Sequence, residues 1–178
     1  LADLRANLIR GDAALEAAIR PDEWAYRAGV PSNASTERAT RFETVDAAVQ
    51  RFLAGAAAST LDTKRWSTHE WLRFIDRLPD TLSVARMAEL DAAFRLTETG
   101  NSEILFAWLR LAIRRDYQPA MPAVERFLTS MGRRKFVRPL FQELVKTEEG
   151  KTLARRIYAV ARPTYHPVTA NSIDTILR

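Results

Sequence analysis

The spacing of the apolar residues constrains the fold most, because they recur three and four positions apart in one segment after another. This is the period of an amphipathic α-helix, whereas the alternation of a half-buried β-strand is almost absent. The clearest stripes are Phe42, Val45, Val49, Phe52 and Leu53; Trp71, Leu72, Ile75 and Leu78; Val84, Met87, Leu90 and Phe94; Ile104, Leu105, Trp108, Leu111 and Ala112; and Met121, Val124, Phe127, Leu128 and Met131. The pattern predicts an all-α protein with about eight helices of roughly 10 to 15 residues.

Capping and helix-breaking residues predict where several of these helices begin. Ser67 and Glu70 have the spacing of a capping box, and Ser83 is a suitable N-cap for the next stripe. Another helix is expected to begin near Asn101. Pro139 suits the first turn of a helix, so the basic residues before it are expected to lie in a turn between two helices.

Short connections between the predicted helices are typical of an irregular bundle or of stacked helical hairpins, and we favour stacked hairpins. The chain lacks a tetratricopeptide or ankyrin signature, so any repeat is structural. Gly29–Thr36 has the composition of an extended connection. This predicts that residues 1–27 are the end of a preceding domain with a linker helix, and that residues 28–178 form the helical domain.

Composition excludes several classes of protein. There is no cysteine, which excludes disulfides, thiolate zinc sites and cysteine nucleophiles. No apolar run approaches the roughly 20 residues that cross a bilayer, so no membrane contact is expected. The net charge of +5 is spread along the chain with acidic residues in between, so nucleic-acid binding is not expected either. The predicted compartment is the cytoplasm, with secretion or the periplasm as alternatives.

Catalytic motifs are incomplete or missing. The two histidines, His69 and His166, are far apart in the sequence. His69 and Glu70 begin like the zinc motif H-E-x-x-H, but Arg73 occupies the position of the second histidine. Neither a G-x-S-x-G nucleophile motif nor a glycine-rich phosphate loop is present. We therefore predict no catalytic residue and no metal ligand in this chain.

One dense basic group is a candidate binding site. It consists of Arg133, Arg134, Lys135 and Arg138, which we call the basic group. Basic side chains beside the free N–H groups of a helix start can bind a carboxylate or a phosphate. The same charges also stabilise the C-terminal end of a preceding helix through its dipole. The residues alone leave both interpretations open.

Three segments, in this order and spacing, carry a resemblance to a known family. They are Asn101-Ser102-Glu103-Ile104, the run from Gly132-Arg133 through Lys135-Phe136 to Arg138-Pro139-Leu140-Phe141, and His166-Pro167-Val168-Thr169-Ala170. On these segments the chain resembles the C-terminal helical domain of the leukotriene A4 hydrolase/aminopeptidase family of zinc metallopeptidases. A weaker similarity over Trp24–Pro31 corresponds to the family's linker into this domain.

The resemblance implies stacked antiparallel helices in an armadillo/HEAT-like right-handed superhelix, which encloses the active-site cleft together with the protein's own N-terminal and catalytic domains. It implies zinc in the catalytic domain, none bound by this chain, and cleavage of N-terminal residues from peptides by the parent enzyme but not by this chain alone. It further implies that Arg133 and Lys135 bind the carboxylate of a peptide substrate, with Arg133 favoured because a guanidinium binds carboxylate bidentately. The alternative is a free-standing helical-repeat module that binds a protein partner.

Overall fold

Residues 1–35 and 40–178 are described by the computed structural model of the chain. The chain divides into two units, Leu1–Ala39 and Thr40–Arg178. Residues 29–35 of the predicted extended connection are not helical, and Thr36 lies outside the described residues. The assignment of residues 1–27 to a preceding domain and of residues 28–178 to the helical domain stays a prediction.

The first unit consists of short helices with little interior. Helix α1 (Ala2–Leu4) continues into a π-helical turn (Arg5–Ile9), and α2 (Ala13–Ile19) and α3 (Pro21–Tyr26) follow. Among the described residues of this unit only Ile9 and Pro21 are buried. Its larger exposed apolar side chains are Leu1, Leu8, Leu15, Trp24, Tyr26 and Val30.

The second unit contains eight helices of 10 to 14 residues, as the periodicity predicts. They are α4 (Thr40–Leu53), α5 (Thr68–Arg77), α6 (Val84–Phe94), α7 (Ser102–Arg114), α8 (Met121–Ser130), α9 (Arg134–Leu144), α10 (Glu148–Ala161) and α11 (Pro167–Leu177). The described part of the chain has no β-strand, so the all-α prediction is confirmed. Among these residues, no helix has the length and apolar composition needed to span a bilayer.

Six of these helices, α5 and α7 to α11, form two layers of stacked hairpins, and α4 packs against α5. Helices α5, α7, α9 and α11 lie side by side in one layer, each in contact with the next. Helices α8 and α10 pack together in the other layer, and α10 also contacts α9 and α11. Alternate helices thus share a layer, which is the arrangement of helical-hairpin solenoids. The armadillo/HEAT-like superhelix and its right-handed sense stay predictions.

The helices of the first layer begin at a common edge. Asn101 Nδ2, before α7, donates to Thr68 Oγ1 at the start of α5 (2.9 Å). Thr169 Oγ1, at the start of α11, donates to Gly132 O just before α9 (3.2 Å). The starts of α7 and α9 are joined by the ion pair of Glu103 with Lys135. We call the first turns of α5, α7, α9 and α11 the N-terminal edge.

A continuous apolar core joins the layers, and its largest buried side chains include Trp108, Phe52, Phe74, Phe136 and Phe141. The predicted caps are confirmed. Ser67 and Glu70 form the capping box of α5. Ser83 accepts from Arg86 N (3.3 Å). The helix expected near Asn101 begins at Ser102, and Asn101 is its N-cap.

The prediction that Pro139 opens a helix is wrong, because α9 begins at Arg134 and contains Pro139 in its interior. A proline at this position removes one helical hydrogen bond and costs about 3 kcal/mol. Because α9 begins at Arg134 rather than at Pro139, Phe136 and Val137 are part of the helix and are buried on the same face as Leu140. Burying two large apolar side chains contributes about 1.5–3 kcal/mol each, which offsets the loss at Pro139.

Candidate functional site

The basic group lies at the N-terminal edge, at the start of α9. Arg133 is the N-cap residue, with extended backbone angles (φ −72°, ψ 116°). Arg134 and Lys135 are the first two residues of the helix, whose start has no side-chain cap among the described residues. The partial positive charge of the uncapped N–H groups therefore adds to the charge of the side chains.

Arg133 has an available cationic side chain at the helix start. It is exposed, and its guanidinium carbon lies 5.6 Å from the centroid of the Phe136 ring. Within the part of the chain that the structure describes, it forms no ion pair with a carboxylate. Its donors are thus free to meet an external anion.

Lys135 already has a carboxylate partner. Its Nζ forms an ion pair with Glu103 Oε1, on the first turn of α7, and lies 4.6 Å from the centroid of the Phe136 ring. The side chains of Lys135 and Glu103 remain 48% and 38% exposed. The pair is therefore in contact with solvent, and an external ligand can reach it.

The two other basic side chains differ from Arg133 in their surroundings. Arg134 Nε donates to Ser172 Oγ on α11 (2.7 Å). Arg138 is exposed one turn further along α9. The structure thus brings Arg133 and Lys135 together around one phenylalanine ring, while Arg134 is bonded to the neighbouring helix.

The Phe136 ring is in contact with both cations. It is only 2% exposed and packs against Phe106 (5.3 Å between ring centroids) and Phe127 (5.9 Å). Cations over an aromatic face gain about 0.5–1 kcal/mol at exposed sites. Both cations thus contact one buried ring, and we call Phe136 with Arg133 and Lys135 the cationic platform.

A second ion-pair network joins α7 and α9 further from the edge. Glu143 accepts from Arg110 Nε (3.1 Å) and also forms an ion pair with Lys146, and its side chain is only 5% exposed. Burial raises the pKa of Glu143, but hydrogen bonds from Lys146 and Arg110 outweigh it and hold the pKa below its usual value. This carboxylate is ionised at neutral pH and fully engaged within the fold.

The described residues do not fit a zinc ion. They contain no group of three or more histidine, cysteine, aspartate or glutamate side chains that would hold a metal. In the incomplete H-E-x-x-H segment, Arg73 places a cation where the second ligand would be, and it binds Asp46 through two bonds (2.9 and 2.8 Å). Glu70 in turn caps α5 rather than facing a ligand.

These features define a domain of stacked helical hairpins with a cationic platform at the starts of its first-layer helices. Residues 66–177 match the family model described as "Leukotriene A4 hydrolase, C-terminal", and the chain belongs to this family. The predicted resemblance is therefore confirmed. The match includes all three segments that carry it and the whole of the basic group.

Relatives and solved structures agree with the family. Human aminopeptidase RNPEPL1 is 31% identical over 127 residues, covering 70% of this chain and 17% of that protein. Leukotriene A-4 hydrolase of Xenopus laevis is 32% identical over 110 residues, covering 61% of this chain and 18% of that protein. The native structure of yeast LTA4 hydrolase superimposes with a TM-score of 0.75 at 18% identity, over 99% of this chain and 32% of that one. The chain thus spans less than a fifth of the curated relatives and shares its fold with part of the yeast enzyme.

Sequence reasoning missed Glu103 as the partner of Lys135. Glu103 lies in a segment that carries the family resemblance, but its contact with α9 spans 32 positions and joins two different helices. Helical periodicity assigns residues to a face and does not pair one helix with another.

Proposed function

We propose that this chain is the C-terminal domain of a zinc-dependent aminopeptidase, and that it helps to enclose the active-site cleft and binds the carboxylate of a peptide substrate. Membership of the leukotriene A4 hydrolase family supports the first part, as do relatives named as an aminopeptidase and a hydrolase. The basic group supports the second. The N-terminal and catalytic domains of the full-length enzyme are then partners of this chain. The cytoplasm stays the predicted compartment.

The observation that carries the proposal is the state of Arg133. It is exposed beside an uncapped helix start and has no carboxylate partner within the described residues. Lys135 is instead paired with Glu103. Arg133 is therefore the principal carboxylate ligand, and Lys135 adds a second cation beside it. A guanidinium presents two parallel donors to a carboxylate, which fixes direction as well as distance.

The proposed role is orientation rather than bond breaking. Binding the far end of a short peptide holds its other end in position for attack, which lowers the entropic part of the barrier. Zinc, when bound by the catalytic domain, supplies an activated water. The residues described here hold the substrate in place while that chemistry occurs elsewhere in the enzyme.

The decisive experiment is Arg133→Ala in the full-length enzyme. The variant loses a charge-assisted hydrogen bond to the substrate, so we expect kcat/KM for a peptide with a free C-terminal carboxylate to fall roughly 30-fold. This corresponds to a loss of about 2 kcal/mol of transition-state stabilisation. The same peptide with a C-terminal amide should be cleaved equally well by the variant and the wild type.

Arg134→Ala is the matched control, because Arg134 is the adjacent arginine and donates to Ser172 within the fold. In this variant, the ratio of kcat/KM for the carboxylate peptide to kcat/KM for the amide peptide should stay within about twofold of the wild-type ratio. Unchanged turnover of the carboxylate peptide by Arg133→Ala would rule out the proposed role of this residue.

A free-standing interaction module, the alternative from the sequence, is not proposed. The chain belongs to the leukotriene A4 hydrolase family, and it covers 17% and 18% of two relatives. A role within a larger enzyme therefore accounts better for the family match.

A further inference from the structure

We infer that Glu103 sets the charge of the carboxylate-binding site and thereby makes it selective for peptides with a single negative charge at the C-terminus. The inference rests on the proposed function, because it concerns the same site. Glu103 is a positioning and specificity residue here, since it acts on the ligand partly through Lys135.

Glu103 is held at the site by its own helix start. Its backbone N–H donates to Asn101 Oδ1 (3.0 Å), which also accepts from Ile104 N (3.3 Å). Asn101 Nδ2 donates in turn to Thr68 Oγ1 on α5 (2.9 Å). The first turn of α7 is thus fixed relative to α5, and the Glu103 carboxylate meets the start of α9.

Glu103 reduces the positive charge that the platform presents. Arg133 and Lys135 contribute one positive charge each and Glu103 one negative charge, so these three side chains together carry a net charge of +1. The adjacent Arg134 is bonded to the neutral hydroxyl of Ser172 and keeps its own charge. A second negative charge on a ligand is repelled by the fixed carboxylate of Glu103, which weakens the attraction of the surrounding cations for it.

Lys135 is also held in place by this contact. The ammonium touches both the Glu103 carboxylate and the face of the Phe136 ring, so a flexible side chain is confined before any ligand arrives. Pre-organised donors lose less conformational entropy on binding. Glu103 therefore has two separable effects, one on the position of Lys135 and one on the charge of the site.

Replacing Glu103 by glutamine separates the two effects. The side-chain amide keeps an oxygen that accepts from Lys135 and loses the negative charge. We expect Glu103→Gln in the full-length enzyme to raise kcat/KM for a peptide ending in glutamate, relative to the same peptide ending in glutamine, by about fivefold to tenfold. The gain should lie mostly in KM and should shrink with added salt, as for charges in contact with solvent.

Two variants complete the experiment. Glu103→Asp keeps the negative charge. It should therefore keep the wild-type ratio of kcat/KM for the peptide ending in glutamate to kcat/KM for the peptide ending in glutamine. Glu125→Gln removes a comparably exposed carboxylate, which is paired with Arg156 (2.9 Å) between α8 and α10, and should also leave the ratio unchanged.

The outcomes distinguish this inference from the proposed function. If Arg133→Ala weakens turnover of carboxylate peptides while Glu103→Gln leaves the ratio unchanged or lowers it, the role of Glu103 is refuted and the carboxylate site stands. If Arg133→Ala has no effect on those peptides, the carboxylate site itself is refuted. All variants should unfold at temperatures close to that of the wild type, so that a change in turnover is not caused by a loss of folded protein.

Discussion

Two ion-pair contacts join the same two helices, α7 and α9, in different surroundings. At the N-terminal edge, Glu103 and Lys135 are both partly exposed. Further along the helices, the Glu143 side chain is almost completely buried and has two cationic partners, Arg110 and Lys146. Both partners of the first pair are accessible, whereas in the second the carboxylate is buried beneath its two cations.

The difference follows from solvation. An exposed ion pair contributes about 0–1 kcal/mol, because water solvates either partner when the other is removed. A buried carboxylate without its partners loses hydration and gains nothing in exchange, which is strongly unfavourable. Charge near the edge can therefore serve binding at little cost to the fold, while charge in the interior of the helix pair holds the helices in register.

The largest expected effect comes from the residue on which the edge pair rests. Phe136→Ala removes a buried ring that packs against Phe106 and Phe127 and supports both Arg133 and Lys135. We expect the free energy of unfolding to fall by about 3–5 kcal/mol, the usual range for a buried phenylalanine. Urea denaturation measures it.

Phe42→Ala is the control for this prediction, because Phe42 is only partly buried at the start of α4. Its loss of stability should be clearly smaller. If Phe136→Ala lowered the free energy of unfolding by less than about 1 kcal/mol, the ring would not be the link between the core and the basic group.

The buried network should give the next largest effect. Glu143→Gln removes the charge that Arg110 and Lys146 pair with, and both cations have exposed side chains that water can solvate. We expect a loss of about 1–2 kcal/mol at pH 7, as for a hydrogen bond to a charged group. Glu98→Gln is the control, since Glu98 is exposed and pairs with Arg95. Its loss of stability should be smaller than that of Glu143→Gln.

The same variant has a defined pH dependence. The pKa of Glu143 is lower in the folded state than its ordinary value of 4.5, so its stabilisation is complete above that value and is lost as pH falls through the folded pKa. The stability difference between wild type and Glu143→Gln should therefore shrink below about pH 4. A difference that stays constant from pH 7 to pH 3 would show that the carboxylate charge contributes nothing.

Much of the fold follows from local sequence, and much of the site does not. The apolar period of 3.6 residues and the caps at Ser67, Ser83 and Asn101 are local signals, and the helices begin where they indicate. The prediction failed at Pro139, where burial of Phe136 outweighed the usual preference of proline for a first turn. Local propensity is a weak guide where tertiary packing opposes it.

The site was predicted unevenly for the same physical reason. Clustered basic residues drew attention to the segment that starts α9, but composition alone left both ligand binding and dipole stabilisation open. The family resemblance, not the spacing, singled out Arg133 and Lys135. The pairing of Lys135 with Glu103 depends on how α7 packs beside α9, and no property of either helix alone determines that.

The smallest expected effect on stability is at the edge pair itself. Lys135→Ala removes one partner of an exposed ion pair and a cation over the Phe136 ring, so the free energy of unfolding should fall by no more than about 1 kcal/mol. Raised salt should weaken that contribution further in the wild type, because the pair is in contact with solvent. Urea denaturation of the wild type and Lys135→Ala at low and high salt measures both effects. A loss well above 1 kcal/mol would mean that the edge pair holds α7 against α9 in the way the Glu143 network does, and the separation of binding charge from structural charge would no longer hold.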